Sequence, residues 1–133
     1  MPDSPSGTLA IRTLAMPKDT NASGAIFGGW LMSQMDVAGG TTAALRAGGR
    51  VVTVAVSAME FHKPVSVGDV LSCYAEIEAV GRTSITVKVE AWVEHRLQTG
   101  GPAPKIFLAT QGTFTFVALD EQGKKRPVPP ETT

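Results

Sequence analysis

After Gly49 the hydrophobic period of the chain changes to two and stays there almost to the end. In "SITVKVEAWVE", Ile85, Val87, Val89, Ala91 and Val93 alternate with Thr86, Lys88, Glu90, Trp92 and Glu94. In "VLSCYAEIEAV", Leu71, Cys73, Ala75, Ile77 and Ala79 share one face, while Ser72, Glu76 and Glu78 share the other. Such alternation is the period of β-strands. "RVVTVAVSAMEF", Arg50 to Phe61, is apolar on both faces over much of its length, as expected of a central strand covered on both sides. "IFLATQGTFTFVAL", Ile106 to Leu119, predicts a last long strand, with "HKPVSVGD" and "GRTS" as turns and "HRLQTGGPAPK" as a long polar loop.

Before this block lie only a short strand, Thr8 to Leu14, and one helix. From about Phe27 to Ala47 there is no proline, and Ala, Leu, Met and Gln are common; Gly48 and Gly49 close the run. The internal pair Gly39-Gly40 weakens the helix locally and fits close packing of its backbone on a sheet. One helix covers only part of a five-stranded sheet. The order therefore predicts an α+β fold, an antiparallel sheet wrapped around a single buried helix, with a spare edge that calls for a partner chain.

The 133 residues fit one domain, expected over 8–120. "MPDSPSG", 1–7, reads as a disordered N-terminus, and 121–133 as a charged, Pro-rich tail. Lys plus Arg and Asp plus Glu each number 12, which argues against nucleic-acid binding and against a polybasic membrane surface. No apolar run approaches the roughly 20 residues of a membrane span. "MPDSPSG" has no basic, then apolar, secretory pattern. The single Cys73 cannot form an intrachain disulfide, which fits a cytoplasmic location.

Common catalytic signatures are absent. "GAIFGG" is neither a P-loop nor a dinucleotide fingerprint, and there is no GxSxG. Two histidines, His62 and His95, and one cysteine make no metal-ligand set, so no metal is expected. Both histidines flank turns and read as solvated; Cys73 reads as a core residue.

What remains is Asp36, a lone acid in the uncharged run "NASGAIFGGWLMSQMDVAGG". It could cap, pair or face solvent at a kink. Yet its helical neighbours Met32, Ser33, Gly39 and Gly40 include no base, which suits a carboxylate kept as a general base. Gly28 and Gly29 at the helix start are either a tight turn or a place where free N–H groups meet a developing oxyanion. Asn21, just before, is either a turn residue or an orienter of water or a carbonyl. Gly28 and Asp36 lie roughly 12 Å apart at about 1.5 Å per residue. A base and an oxyanion donor must both reach one centre within about 3 Å, so a site using both spans two subunits.

"TLAMPKDTNASGAIFGGWLMSQMDVAGG", followed by "RVVTVAVSAMEFHKPVSVGDVL", resembles the hot-dog-fold acyl-CoA thioesterases, of the short single-domain bacterial YciA-like type. The resemblance runs from about Leu9 to Pro127. It implies a hot-dog fold, a dimer with a continuous sheet, assembly as a trimer of dimers, and hydrolysis of acyl-CoA to a free acid and CoA, with CoA entering as part of the substrate and no other cofactor. It further implies Asp36 as the base that activates water, Asn21 as orienter across the interface, Gly28 and Gly29 as polarisers of the thioester carbonyl, and the turn Gly81, Arg82, Thr83, Ser84 beside CoA. Ala25 stands where relatives often carry Asp or Asn. A neutral protein must gather cations locally for the CoA phosphates, and Arg82, Lys63, Lys124, Lys125 and Arg126 are the candidates. Two alternatives share these features: a non-catalytic acyl-CoA-binding module and a hot-dog hydratase or dehydratase. The latter typically relies on a histidine, for which His62 and His95 are poorly placed.

Overall fold

A computed structural model describes residues 2–95, 100–103 and 105–131. Residues 96–99 and 104 of the predicted polar loop lie outside this set. The chain runs β1 (Thr8–Leu14), a 3-10 turn (Pro17–Asp19), α1 (Gly28–Ala47), β2 (Val51–Phe61), β3 (Val70–Val80), β4 (Ser84–Glu94) and β5 (Ile106–Ala118). Every strand pair is antiparallel, in the order β1-β3-β4-β5-β2. The expected elements are all present, with ends shifted by one or two residues.

The alternating residues of β3 and β4 face α1. Leu71, Cys73, Ile85, Val87, Val89, Ala91 and Val93 are fully buried there with Met35, Ala38 and Ala43 of the helix. Gly39 sets the separation. A Cβ on it would lie 3.1 Å from the Phe116 ring and 3.2 Å from Val89 Cγ2. The helix ends at Gly48, whose φ of 71° is the left-handed conformation that a terminating glycine accepts without strain.

One expectation is corrected. β2 is not a central covered strand but the edge of the sheet, hydrogen-bonded to β5 alone. Its apolar residues are open to solvent in the single chain, with Val54 53% and Phe61 52% exposed. A double-sided apolar strand at an edge is a surface that a monomer avoids, and the sequence pattern is that of a strand covered by something the single chain lacks. A bulge between Ser57 and Glu60 puts Ala58 at φ 51° and re-aims the end of β2 toward the start of α1.

Both ends of the chain are more firmly held than their composition suggests. The Ser6 N–H donates to Glu90 Oε1 at 2.9 Å. Gly7, at φ 94°, passes so close to the Ala75 carbonyl that a Cβ there would lie 2.6 Å from it. At the other end, Leu119 bridges to Lys125, and Val128 packs against the core.

The two internal glycines should therefore part company. Ala in place of Gly gains about 1 kcal/mol of helix propensity, but overpacking costs about 1–3 kcal/mol. Gly39→Ala is expected to lower stability. Gly40→Ala, whose Cβ would meet only Phe116 at an ordinary 3.5 Å, should leave it unchanged or raise it. Denaturant titration of the two variants checks this.

Candidate active site

Asp36 lies on the flank of α1 that faces β2, and it is half-buried. Thr53 Oγ1 donates to its Oδ1 at 2.6 Å, while Oδ2 has no partner among the described residues. The carboxylate opens into a cleft of about 390 Å³ shared with Val37, Gly40, Thr41, Arg50 and Phe116. It is neither a cap nor one half of a described ion pair. One oxygen is fixed and the other is left to accept a proton.

The helix start is 3-10-like, closing on Phe27, which has no side chain able to cap it. The N–H groups of Gly28 and Gly29 therefore meet no acceptor among the described residues. Both glycines lie close under an aromatic ring. A Cβ on Gly28 would lie 3.2 Å from the Phe61 ring, and one on Gly29 3.1 Å from the Phe27 ring. The same contact ties the helix start to the far end of β2.

Asn21 is a turn residue with a free donor among the described residues. Its Oδ1 accepts from Ser23 N–H (3.0 Å), Ser23 Oγ (2.8 Å) and Ala25 N–H (3.1 Å), an Asx-type turn. The carboxamide oxygen is thus fully used by the loop. Its exposed Nδ2 donates to nothing among the described residues. Asn21 can orient a ligand only as a donor.

The cationic candidates separate. Arg82 is exposed on the turn between β3 and β4, where Gly81 N–H donates to the Ser84 carbonyl at 2.8 Å and the Thr83 carbonyl accepts from Ala118 N–H at 2.9 Å. Lys124 stands exposed on a neighbouring turn held by Asp120. Neither Arg82 nor Lys124 is in an ion pair among the described residues. Arg126 is differently employed. Its Nε donates to the Leu119 carbonyl at 2.9 Å and its Nη2 to the Ala47 carbonyl at 2.9 Å, capping the helix C-terminus. Lys63 is at the other end of the sheet. Its N–H donates to Ala109 and its Nζ lies over the Phe107 ring at 5.2 Å. From Ala109 to Ala118 along β5 is roughly 30 Å at about 3.4 Å per residue.

The histidines are not simply solvated. His95 Nδ1 lies 2.7 Å from Asp69 Oδ1, and Asp69 is buried. His62 keeps its Nε2 buried, 3.5 Å from Glu60 Oε2, in a small cleft with Gly28 and Phe61. Two residues of the Asp36 cleft escaped sequence reading, Thr53 and Arg50. Thr53 is one of the few polar residues within β2, but nothing in the sequence shows which strand residue faces the helix acid. Among the described residues, no three His, Cys, Asp or Glu side chains are grouped to hold a metal, and no helix is long and apolar enough to cross a membrane.

Residues 23–99, which carry the helix start, Asp36 and the β3–β4 turn, match the Thioesterase superfamily. The chain belongs to that superfamily. It is 54% identical over 125 residues to an acyl-CoA thioester hydrolase of Haemophilus influenzae, covering 94% of this chain and 80% of the relative. It is 50% identical over 127 residues to the acyl-CoA thioester hydrolase YciA of Escherichia coli, covering 96% and 95%. The crystal structure of a hexameric thioesterase from Yersinia pestis superposes with a TM-score of 0.86 at 52% identity, covering 96% of this chain and 100% of the other. The hot-dog fold of this thioesterase-superfamily chain is thus the one its strand order describes.

Cys73 is core, not nucleophile. Burial pushes its thiol up to about 12, so almost no thiolate forms near neutrality. In the folded protein Cys73 should not react with an aromatic disulfide reagent at pH 8, and one thiol should appear on unfolding. A fast native titre would place Cys73 at the surface.

Proposed function

We propose that the protein is an acyl-CoA thioester hydrolase whose active site is completed across a dimer. The observation that carries this reading is the Asp36 carboxylate, fixed by Thr53 at one oxygen and open at the other, beside an unpaired apolar edge strand. The YciA relative, half identical over nearly the full chain, carries the same activity in its name.

Antiparallel pairing of β2 with β2 of a second copy covers Val52, Val54 and Val56. A two-fold through the middle of the strand brings the Phe61 end of one copy opposite the Val51–Thr53 end of the other. Gly28 packs on Phe61, and Asp36 bonds Thr53. The free N–H groups of one helix start then approach the Asp36 of the other copy, which removes the separation of roughly 12 Å that prevents cooperation within a chain. Lys63 of the second copy moves toward the end that carries Arg50 and Arg82. Three such dimers make the proposed assembly, a hexamer like the Yersinia relative.

In this site Asp36 Oδ2 takes a proton from water as the water oxygen attacks the thioester carbonyl carbon. The oxyanion that forms is stabilised by the Gly28 and Gly29 N–H groups and the positive end of the helix. Asn21 Nδ2 donates to the attacking water or the carbonyl. Collapse breaks the C–S bond, the thiolate leaves with the proton held by Asp36, and the acid is released. Every group named belongs to the protein or the substrate. Arg82 and Lys124, exposed and unpaired, are the proposed phosphate contacts, with Gly81, Thr83 and Ser84 shaping their turn. Residues 8–120 are the proposed thioesterase domain. The cytoplasm is the proposed location, since CoA esters are used there and the lone Cys73 needs no oxidising compartment.

CoA release from a series of acyl-CoA esters, followed with a thiol reagent, tests the activity. A binding module would release none, and a hydratase would change the acyl chain without freeing thiol. Asp36→Asn should lower turnover by at least about 10²-fold, with little change in substrate binding. Asn21→Asp keeps all three loop acceptor bonds but loses the donor, so it should fold normally and turn over slowly. Mixing Asp36→Ala chains with Asn21→Ala chains should restore activity, because one composite site per heterodimer is intact. Heterodimers that form and remain inactive would sink the shared site.

The phosphate contact has its own test. A guanidinium grips phosphate through two parallel hydrogen bonds, and losing a charge-assisted bond costs about 1.5–3 kcal/mol. Arg82→Ala should therefore raise KM for acyl-CoA roughly ten- to a hundredfold with kcat nearly kept. The loss should vanish with acyl-pantetheine, which lacks the nucleotide phosphates. An equal loss on both substrates would make Arg82 a structural residue.

A further inference from the structure

The segment after β5 is built into the fold at the end of the molecule that carries the β3–β4 turn. Leu119 N–H donates to the Arg50 carbonyl at 2.9 Å, and Arg126 N–H to the Ala118 carbonyl at 3.0 Å. Between them the Asp120 side chain closes a turn by accepting from Gln122 and Lys124 N–H at 2.9 and 2.8 Å, and Gly123 supplies the positive φ of 80°. The Arg126 guanidinium then passes under the helix end to the Leu119 and Ala47 carbonyls. Gly49 makes the room, since a Cβ there would lie 2.9 Å from Arg126 Nη2. Two residues on, Val128 N–H donates to the Arg82 carbonyl at 2.8 Å and its side chain packs on the core. Arg46 Nη1 finally holds the Pro129 carbonyl at 2.6 Å.

Prolines at 127, 129 and 130 flank Val128. They fix φ and reduce the freedom that the free segment would lose on docking. The outcome is a pre-stiffened strap, anchored at the helix end, whose one hydrogen bond to the β3–β4 turn falls on the backbone of Arg82 itself. The turn has two other backbone holds, Gly81 N–H to the Ser84 carbonyl and Ala118 N–H to the Thr83 carbonyl, and neither falls on Arg82. Arg82 has no side-chain partner among the described residues, and its backbone is held from one side by the strap.

We infer that the segment Leu119–Pro129 is a positioning strap for the β3–β4 turn: Arg126 anchors it, Val128 fixes the Arg82 backbone, and the strap sets the affinity for the nucleotide part of the substrate without touching the chemistry at Asp36. This rests on the reading of Arg82 as a phosphate contact. Lys124 and Lys125 belong to the same folded segment, which therefore carries two further cations.

The test compares a chain ending at Arg126 with the full chain. This variant keeps the helix cap and loses the Val128 and Pro129 contacts. A neutral hydrogen bond contributes about 0.5–1.5 kcal/mol, so KM for acyl-CoA should rise about two- to tenfold, with kcat and the kinetics on acyl-pantetheine unchanged. Hydrogen exchange of the Gly81–Ser84 amides should quicken while that of the α1 amides stays as in the full chain. Arg126→Lys, which cannot hold two carbonyls with one planar fork, should give the same KM pattern and also a lower Tm. An unchanged KM in the shortened chain overturns the strap, and if Arg82→Ala still raises KM the phosphate reading stands without it. An equal effect on acyl-CoA and acyl-pantetheine, or a fall in kcat alone, also overturns it, since the strap would then act on fold or chemistry. If Arg82→Ala itself leaves KM for acyl-CoA unchanged, the phosphate reading fails first, and faster exchange at Gly81–Ser84 alone would not rescue the proposal.

Discussion

The close approach of α1 to the sheet governs the geometry of this molecule. At Gly39 a methyl group would press on the Phe116 ring, 3.1 Å away, and on Val89. With the helix held at that height, the residue one turn earlier, Asp36, comes within 2.6 Å of the Thr53 hydroxyl on β2. A helix raised by even one carbon diameter would separate the two and leave the acid to solvent. The small residues along the buried flank, Ala38, Gly39 and Ala43, thus set the Asp36–Thr53 contact although none carries a functional group.

The same contact leaves β2 half-finished. The helix covers the middle of the sheet, while β2 at the edge keeps Val52, Val54 and Val56 in water. The edge strand and the incomplete site lie on the same flank. Asp36 looks toward β2, and the uncapped helix start rests on the last residue of β2. In the proposed dimer one operation, antiparallel pairing with a second copy, serves both stability and catalysis, because burial of the edge and convergence of the two half-sites follow from the same two-fold.

Charge is distributed by the chain's end rather than by its composition. With Lys plus Arg equal to Asp plus Glu at 12 each, the average field favours no anion. The fold places Arg46 in the last turn of α1, Arg50 just beyond it and the Arg126 guanidinium on the Ala47 carbonyl, all at the C-terminal end of the helix. That placement suits the negative end of the helix dipole. Arg46 and Arg126 are both tied to backbone carbonyls.

Period and punctuation alone determined the elements. Alternation in β3 and β4, a proline-free run ending in Gly48-Gly49, and turn residues between them fix local backbone choices and the buried face, because those depend on neighbours in the chain. Asp36 stood out for the same reason, as a lone acid among apolar neighbours, and Cys73 was legible as core. What sequence could not decide was anything that depends on contacts between distant segments. β2 has the pattern of a covered strand, but whether its cover comes from this chain or another depends on strand order. Thr53 is an ordinary polar residue until the sheet carries it to Asp36, 17 residues earlier in the chain. Arg126 looks like one more cation of a solvated tail until its guanidinium meets the Ala47 carbonyl, 79 residues away. Local periodicity reports which face of an element is buried; it carries no information about what lies against that face, and that is settled only when the helix and sheet pack.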